Sequence, residues 1–234
     1  MTYWRTFIAG LLGGVFASVG GLSFIYLMAL TGSRLISASV FAFGIVLTCI
    51  FSAAAFLPSA GRIIEQGNKY IFHLLFVLAG NIISATMLGF ILYYLSKSLT
   101  GWQALNLEAE TLINIKMQIP LWETILLAFL CGPVLGAGVY GYNKIKNPLL
   151  RIIVVYVSGV VYATFGLFNL TTEFFYYAIG GAEIYSLGQS LINLTLIIIG
   201  NVLGSLAIYY ILHRVRPRAD QPALLSNLLK HRKH

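Results

Sequence analysis

Residues 80–95 read GNIISATMLGFILYYL and residues 200–212 read GNVLGSLAIYYIL, two apolar stretches that both open with Gly-Asn. Each follows a Phe-Gly pair, in FGIVLT at 43–48 and in FGLFNLT at 165–171. The separations between the glycines of the two motifs are 36 and 34 residues. Motifs that recur in one order at nearly one spacing predict an internal duplication, here of a three-helix unit.

The whole chain is apolar enough to place this unit in a membrane. Of its 234 residues, 59% are hydrophobic and 9% are charged, with a mean hydropathy of +0.85, which excludes a water-soluble domain. A helix needs about 20 apolar residues to cross a bilayer. We therefore predict an all-α membrane protein with six spans, at Thr6–Leu30, Leu35–Ser59, Tyr70–Leu95, Leu121–Asn143, Ile152–Ala178 and Leu187–Leu212.

The number of spans per unit sets the relation between the halves. Three is odd, so the second copy enters the membrane from the opposite side, and the halves are predicted to be inverted repeats. They cover about residues 1–96 and 116–212 of a single transmembrane domain, 1–212, which a basic tail follows at 213–234. Inverted repeats bring equivalent helices, often interrupted ones, together at the middle of the membrane.

The basic residues predict the orientation of the chain. Alternating the joins leaves only Arg34, Lys97 and Lys116 on one side. The cytoplasmic side of a membrane protein keeps an excess of Lys and Arg, so both termini are predicted to be cytoplasmic, in the inner (plasma) membrane. Retention and lipid headgroups also account for the net charge of +8, and no nucleic-acid partner is expected. The predicted cytoplasmic residues are Arg5, Arg62, Lys69, Lys144, Lys146, Arg151, Arg214, Arg216, Arg218, Lys230, Arg232 and Lys233.

The residues that usually carry enzymatic chemistry are missing. The sequence has no catalytic triad, no metal-ligand cluster and no phosphate-binding glycine loop, so neither an enzyme nor a cofactor is expected. The longest connection, Ser96–Pro120, is mildly amphipathic. We expect it to lie along the membrane interface or to cap the mouth of a pore.

Gly44 and Gly166 fall near the middle of the second and fifth spans. Glycine weakens a helix, and unpaired backbone inside a membrane is tolerated only beside a polar cavity. Their paired positions predict a functional break in each helix. Close packing against a neighbouring helix is the alternative explanation for each glycine.

The motifs resemble those of the formate/nitrite transporter family. That family has Gly-x-Asp-Leu-Phe-Thr in its second span, Gly-Phe-Glu-His with a following Asn in its fifth, and Gly-Asn at the start of its third and sixth. The segment from Lys116 to Glu173 aligns with the family pattern without a gap, and Arg151 falls on a cytoplasmic lysine. Gly166 matches the motif glycine, Asn169 replaces the central histidine, and Glu173 replaces the following asparagine.

The second span matches less closely. Gly44 to Cys49 falls on the loop motif, with Leu47 retained, Thr48 in place of phenylalanine and Cys49 in place of threonine. A register that uses Ser52–Leu57 is the alternative, and the spacing of the repeat favours the first. The resemblance implies an aquaporin-like protomer with interrupted second and fifth helices, a pore through each protomer and a homopentamer.

The resemblance also implies a function, a channel or transporter for small monovalent anions. Formate is the first candidate, and nitrite, hydrosulfide, lactate and acetate are the others. Asn169 is expected to donate its amide N–H to the anion, or alternatively only to bond a neighbouring helix. Because an amide transfers no proton near neutral pH, Asn169 predicts weaker proton coupling than a histidine would give. Glu173 is either a buried proton donor or a solvated surface carboxylate.

Other residues complete the predicted pathway. Lys116 is expected to attract anions at the outer mouth, or alternatively to extend to the membrane interface. Apolar constrictions are expected at Leu47, Thr48, Phe168 and Tyr162, and Cys49 lies beside them. A neutral-solute channel and a membrane assembly or sensing protein without transport are the competing functions.

Overall fold

The computed structural model describes residues 2–99, 102–181 and 186–215. Most of the predicted basic tail, from residue 216 onward, therefore lies outside the described residues. All secondary-structure elements of the described residues are helices, and no strand is assigned within those ranges. Its helices are α1 (Tyr3–Thr31), α2 (Arg34–Ile50), α3 (Phe56–Gly61), α4 (Ile63–Gln66), α5 (Tyr70–Ser98), α6 (Gln103–Met117), α7 (Leu121–Lys144), α8 (Pro148–Phe165), α9 (Leu170–Tyr176), a π-helical turn (Tyr177–Gly181) and α10 (Leu187–Val215).

Five of the described helices, α1, α5, α7, α8 and α10, are long and apolar enough to cross a membrane. Their large apolar side chains are exposed around the outside of the molecule, as at Leu30, Phe72, Met87, Leu149 and Phe165. Such a surface is stable against lipid and not against water. The predicted membrane class is therefore confirmed at the level of five candidate spans.

The packing of the helices repeats along the chain. In the first half α1 packs on α5 and α2, and in the second half α7 packs on α10 and α8. Contacts between α2 and α8 join the halves. Predicted boundaries were close for α1, α5, α7 and α10: α7 begins at the predicted Leu121 and ends one residue beyond the predicted Asn143.

Two short stretches without helix separate α2 from α3 and α8 from α9, at residues 51–55 and 166–169. Each contains a residue with positive φ, Ser52 at +52° and Gly166 at +65°. A left-handed conformation costs an L-residue roughly 1–2 kcal/mol, whereas glycine adopts it freely. Gly166 thus ends α8 without strain, while Ser52 ends α2 at a cost that the surrounding contacts must offset.

The structure does not place a break at Gly44, and the prediction of one there was wrong. Gly44 lies inside α2, which continues as helix to Ile50. A Cβ atom at this position would come within 2.5 Å of the Phe16 carbonyl oxygen of α1 and 3.0 Å of the Gly20 Cα atom. Close helix packing therefore explains this glycine, and the non-helical residues begin near Ser52, the alternative register.

The helices define two opposite faces of the molecule. On one, α1 begins with Tyr3, whose ring lies against that of His73, tilted by 39° with the ring centroids 4.7 Å apart. After 29 residues, or about 43 Å of helix, α1 ends at Thr31 beside the start of α2 at Arg34. We call the first the Arg62 face, since it carries Arg62 and Arg151, and the second the Arg34 face.

Candidate functional site

Asn81, on α5, holds the stretch that separates α2 from α3. Its side-chain oxygen accepts a hydrogen bond from the Phe56 backbone N–H at 2.8 Å. Its side-chain nitrogen donates to the carbonyl oxygens of Ala54 at 2.8 Å and Gly10 at 2.7 Å. A break of helix inside a membrane leaves backbone groups without partners, and this amide supplies partners for two of them.

Asn201, on α10, does the same for the stretch between α8 and α9. Its side-chain oxygen accepts from the Leu170 backbone N–H at 2.9 Å. Its side-chain nitrogen donates to the carbonyl oxygens of Phe168 at 2.7 Å and Ala128 at 2.9 Å. Both asparagines are fully buried.

These bonds give a register between the two halves of the chain. Ala54 corresponds to Phe168, and Phe56 to Leu170, so Ser52 corresponds to Gly166, the other residue with positive φ. The two stretches also meet, because the Thr171 hydroxyl in the first turn of α9 donates to the Asn81 side-chain oxygen at 3.1 Å. Asn81 lies 11 residues into α5, about 16 Å along that helix.

A cavity of about 680 Å³ opens on the Arg62 face and ends at the residues between α2 and α3. Arg62 and Arg151 lie in its wall together with His73, whose Nδ1 is 2.9 Å from the Thr6 hydroxyl. No carboxylate is among the described residues that line it. The cavity therefore carries a positive potential down to Ala53 and Ala54.

A much smaller pocket, of about 20 Å³, lies on the Arg34 face. Arg34, Lys116 and Gly166 line it together with the rings of Tyr162 and Tyr176. Apolar packing separates it from the larger cavity. One buried cluster extends from the pocket residue Tyr162 to Leu57, which is next in the chain to the cavity residue Pro58. The cluster consists of Phe24, Ala38, Phe41, Leu57, Cys131, Leu135, Tyr162, Ala163 and Leu167.

Lys116 and Glu173, 57 residues apart in sequence, form a buried ion pair behind this pocket. The ammonium nitrogen lies 2.5 Å from Oε1 of the carboxylate and 4.1 Å from the centre of the Phe168 ring. Lys116 lies in the last turn of α6, outside the five candidate spans. Burial lowers the pKa of its ammonium group, and the nearby Glu173 carboxylate opposes that shift. The second carboxylate oxygen has no hydrogen-bond partner among the described residues.

The ion pair resolves two alternatives left open by the sequence. Glu173 is 0% exposed, so it is not a solvated surface carboxylate. Lys116 is 7% exposed, so its side chain does not extend to the membrane interface. The amphipathic connection also has a defined place: α6 buries Leu105, Ala109, Ile113 and Lys116 and packs against α1 and the π-helical turn.

The other predicted pathway residues are divided between the two cavities. Thr48 and Cys49 line the large cavity, and Tyr162 lines the small pocket. Phe168 is buried beneath Lys116, and Leu47 is half-buried in α2. Asn169 lies in the wall of neither cavity; it is the N-cap of α9, with its side-chain oxygen accepting from the Thr171 backbone N–H at 3.0 Å.

The sequence alone did not identify three positions at the candidate site. Asn81 and Asn201 marked the repeat, but their role as partners for the non-helical backbone requires the folded chain. From the sequence, Arg34 could be assigned only to one side of the membrane, whereas in the structure it lies in a pocket wall. The recurring Gly-Asn pair was the one signal that could have pointed to the asparagines.

The fold is similar to that of solved channel structures. One, described as a pentameric formate channel with formate bound, superposes with a TM-score of 0.76 at 14% identity, covering 92% of this chain and 98% of that chain. Another, described as an FNT family ion channel, gives a TM-score of 0.78 at 12% identity, covering 92% and 91%. At such identities the similarity concerns the fold.

The comparison at the level of sequence gives the family. No curated protein matches this sequence. The family model for formate/nitrite transporters matches residues 1–215, nearly the whole chain and all of its candidate spans. The chain is therefore a multi-pass membrane protein that belongs to the formate/nitrite transporter family.

Proposed function

We propose that each subunit passes small monovalent anions through the region where the two non-helical stretches meet. The observation that carries the proposal is the pair of cavities on opposite faces, both lined by arginine, with residues 51–55 and 166–169 between them. Formate is the first candidate substrate, followed by nitrite, hydrosulfide, lactate and acetate. The formate bound in a structurally similar channel supports formate as the first candidate.

The proposal includes a topology with six crossings. In it, α2 and α3 together form the second crossing, and α8, α9 and the π-helical turn form the fifth. The matching bonds of Asn81 and Asn201 support two inverted halves around these interrupted helices. The Arg62 face, with Lys144 and Arg151, is the cytoplasmic one, because it carries more basic residues than the Arg34 face.

An anion meets a different physical problem at each stage of this path. In the large cavity, the arginines raise its local concentration, since a cleft lined by one sign of charge attracts the other. In the apolar cluster between the cavities it must lose most of its water, and a narrow apolar segment of this kind opposes ions until it is wetted. Opening of the path thus requires movement in the cluster around Tyr162 and Leu57.

Proton coupling is proposed to be weak. Asn169 stands where histidine-bearing relatives have an imidazole, and an amide neither gives nor takes a proton near neutral pH. Its side-chain oxygen accepts the hydrogen bond that caps α9. Its side-chain N–H groups are the donors that it offers an anion. A homopentamer is the proposed assembly, as in the similar formate channel.

One observation favours a second candidate, a channel for neutral solutes. Glu173 neutralises Lys116, so the pocket on the Arg34 face has less positive charge than a lysine alone would give. Charge separates the two functions, because only an anion path carries current or responds to membrane potential.

The proposed function is tested by uptake into liposomes that contain the purified protein. We expect radiolabelled formate to enter faster than into empty liposomes, and faster still when the interior is made electrically positive. The range from about pH 6 to about pH 8 spans the titration of an ordinary histidine. At a fixed formate concentration, the uptake rate should change little across this range. Urea or glycerol uptake without formate uptake would contradict the proposal and establish the second candidate.

A further inference from the structure

We propose that Arg34 is the cation that draws anions into the mouth on the Arg34 face, in place of the neutralised Lys116. The inference rests on the proposed function, because it assigns the electrostatic part of anion entry to a named side chain. It concerns a residue that the sequence placed only on one side of the membrane.

The first step is the charge balance of the pocket. Lys116 and Glu173 are in contact at 2.5 Å, so at a distance their opposite charges largely cancel. Arg34 lines the same pocket, and no ion pair joins it to any carboxylate of the described chain. The pocket therefore has a net positive charge that comes from the Arg34 guanidinium.

The second step is the placement of that guanidinium. The Arg34 Nε donates to the Ala163 carbonyl oxygen at 3.4 Å, in the last turn of α8. One of its terminal nitrogens lies directly against Gly166, whose missing side chain leaves the room for it. The side chain is thus held across the start of α2 and the end of α8, beside the stretch at 166–169.

The two cations of the pocket, Arg34 and Lys116, differ in their exposure. Arg34 is exposed, whereas Lys116 behind it is only 7% exposed. An exposed cation at the rim meets an incoming anion before any buried group does, and steering of this kind depends strongly on ionic strength. Four donor N–H groups of the guanidinium remain for a carboxylate after the single bond to Ala163.

The test compares Arg34→Gln with Lys97→Gln in the liposome assay. Lys97 is the matched control, because it is a cation predicted on the same side but does not line the pocket. At low salt and subsaturating formate, we expect R34Q to lower uptake on the order of tenfold and to flatten the dependence on ionic strength. K97Q should leave both unchanged, and Arg34→Lys should retain most of the rate.

A chemical version of the test separates charge from shape. In Arg34→Cys, a cationic methanethiosulfonate reagent should restore much of the lost uptake, and an anionic one should not. Equal uptake by R34Q and K97Q, or equal rescue by both reagents, overturns the assignment of Arg34 while leaving an anion pore in place. Absence of formate uptake by the wild-type protein overturns the proposed function, and this inference with it.

Discussion

Replacing Asn201 by leucine is expected to destabilise the folded protein on the order of 4 kcal/mol, because the change orphans two buried backbone groups at the end of α8 and the start of α9. The Leu170 N–H and the Phe168 carbonyl both bond to this amide. Both groups are buried among apolar side chains and out of reach of water. Each would therefore pay the full free-energy cost of desolvation. Thermal unfolding in detergent, followed by circular dichroism, measures the loss.

Asn193 provides the matched control on the same helix. It is also buried, but its side-chain oxygen has no partner among the described residues. Asn193→Leu should therefore cost little, since it removes a polar atom that was already unsatisfied. Equal melting temperatures for the two leucine variants would show that Asn201 does not support the stretch at 166–169.

Replacing Lys116 by methionine is expected to cost about 3–5 kcal/mol, because it leaves the Glu173 carboxylate buried without its counter-ion. The double variant Lys116→Met with Glu173→Leu should regain most of the wild-type stability. Apolar residues of similar size often replace a buried ion pair at little cost. Chemical unfolding of the purified protein, with the two single variants and the double variant side by side, gives the coupling between the residues.

The Lys144–Glu65 pair is the control for this series. Its charged atoms are 3.9 Å apart and its side chains are 40% and 28% exposed. Solvent screens such a pair, so Lys144→Met should cost below about 1 kcal/mol. The prediction is wrong if K116M and K144M are equally stable, or if the double variant is no more stable than K116M.

The sequence predicted the helices well because membrane spans leave a strong signal in composition. A run of 20 apolar residues has few other stable states, so the bounds of α1, α5, α7 and α10 came within a few residues of the predicted spans. Such a signal does not depend on partners elsewhere in the chain. Helix bounds therefore follow from local sequence, whereas the site does not.

The end of α2 shows where local sequence fails. A register at Gly44 and one at Ser52–Leu57 were both possible for the break, and the spacing of the repeat favoured Gly44. In the structure Gly44 allows close packing against α1, and the residue with positive φ is Ser52. Serine rarely adopts a positive φ, so residue type did not indicate this position. The decisive information lies on α5, in the bonds of Asn81 to Ala54 and Phe56.

The ion pair shows the same limit for the candidate site. Lys116 and Glu173 are 57 residues apart, on α6 and α9, and only the folded chain brings them together. In the sequence nothing links the two residues, so the lysine was expected to carry a free charge. The pairing changes the electrostatics of the pocket and leaves Arg34 as the pocket cation that no carboxylate of the described residues pairs.

If anions pass between the two non-helical stretches, chemical block of the large cavity should stop their transport. Ala53 lies in the cavity wall where α2 gives way to α3. An Ala53→Cys variant, with Cys49→Ser to remove the native thiol nearby, would be treated with an anionic methanethiosulfonate reagent in formate-transporting liposomes. Lys146→Cys, exposed on the same face and outside the cavity wall, is the control.

We predict that modification of A53C reduces formate uptake to the level of empty liposomes, that added formate slows the modification, and that modified K146C transports at its original rate. Undiminished formate uptake through fully modified A53C would mean that the anion takes another path and that the proposed pathway is wrong.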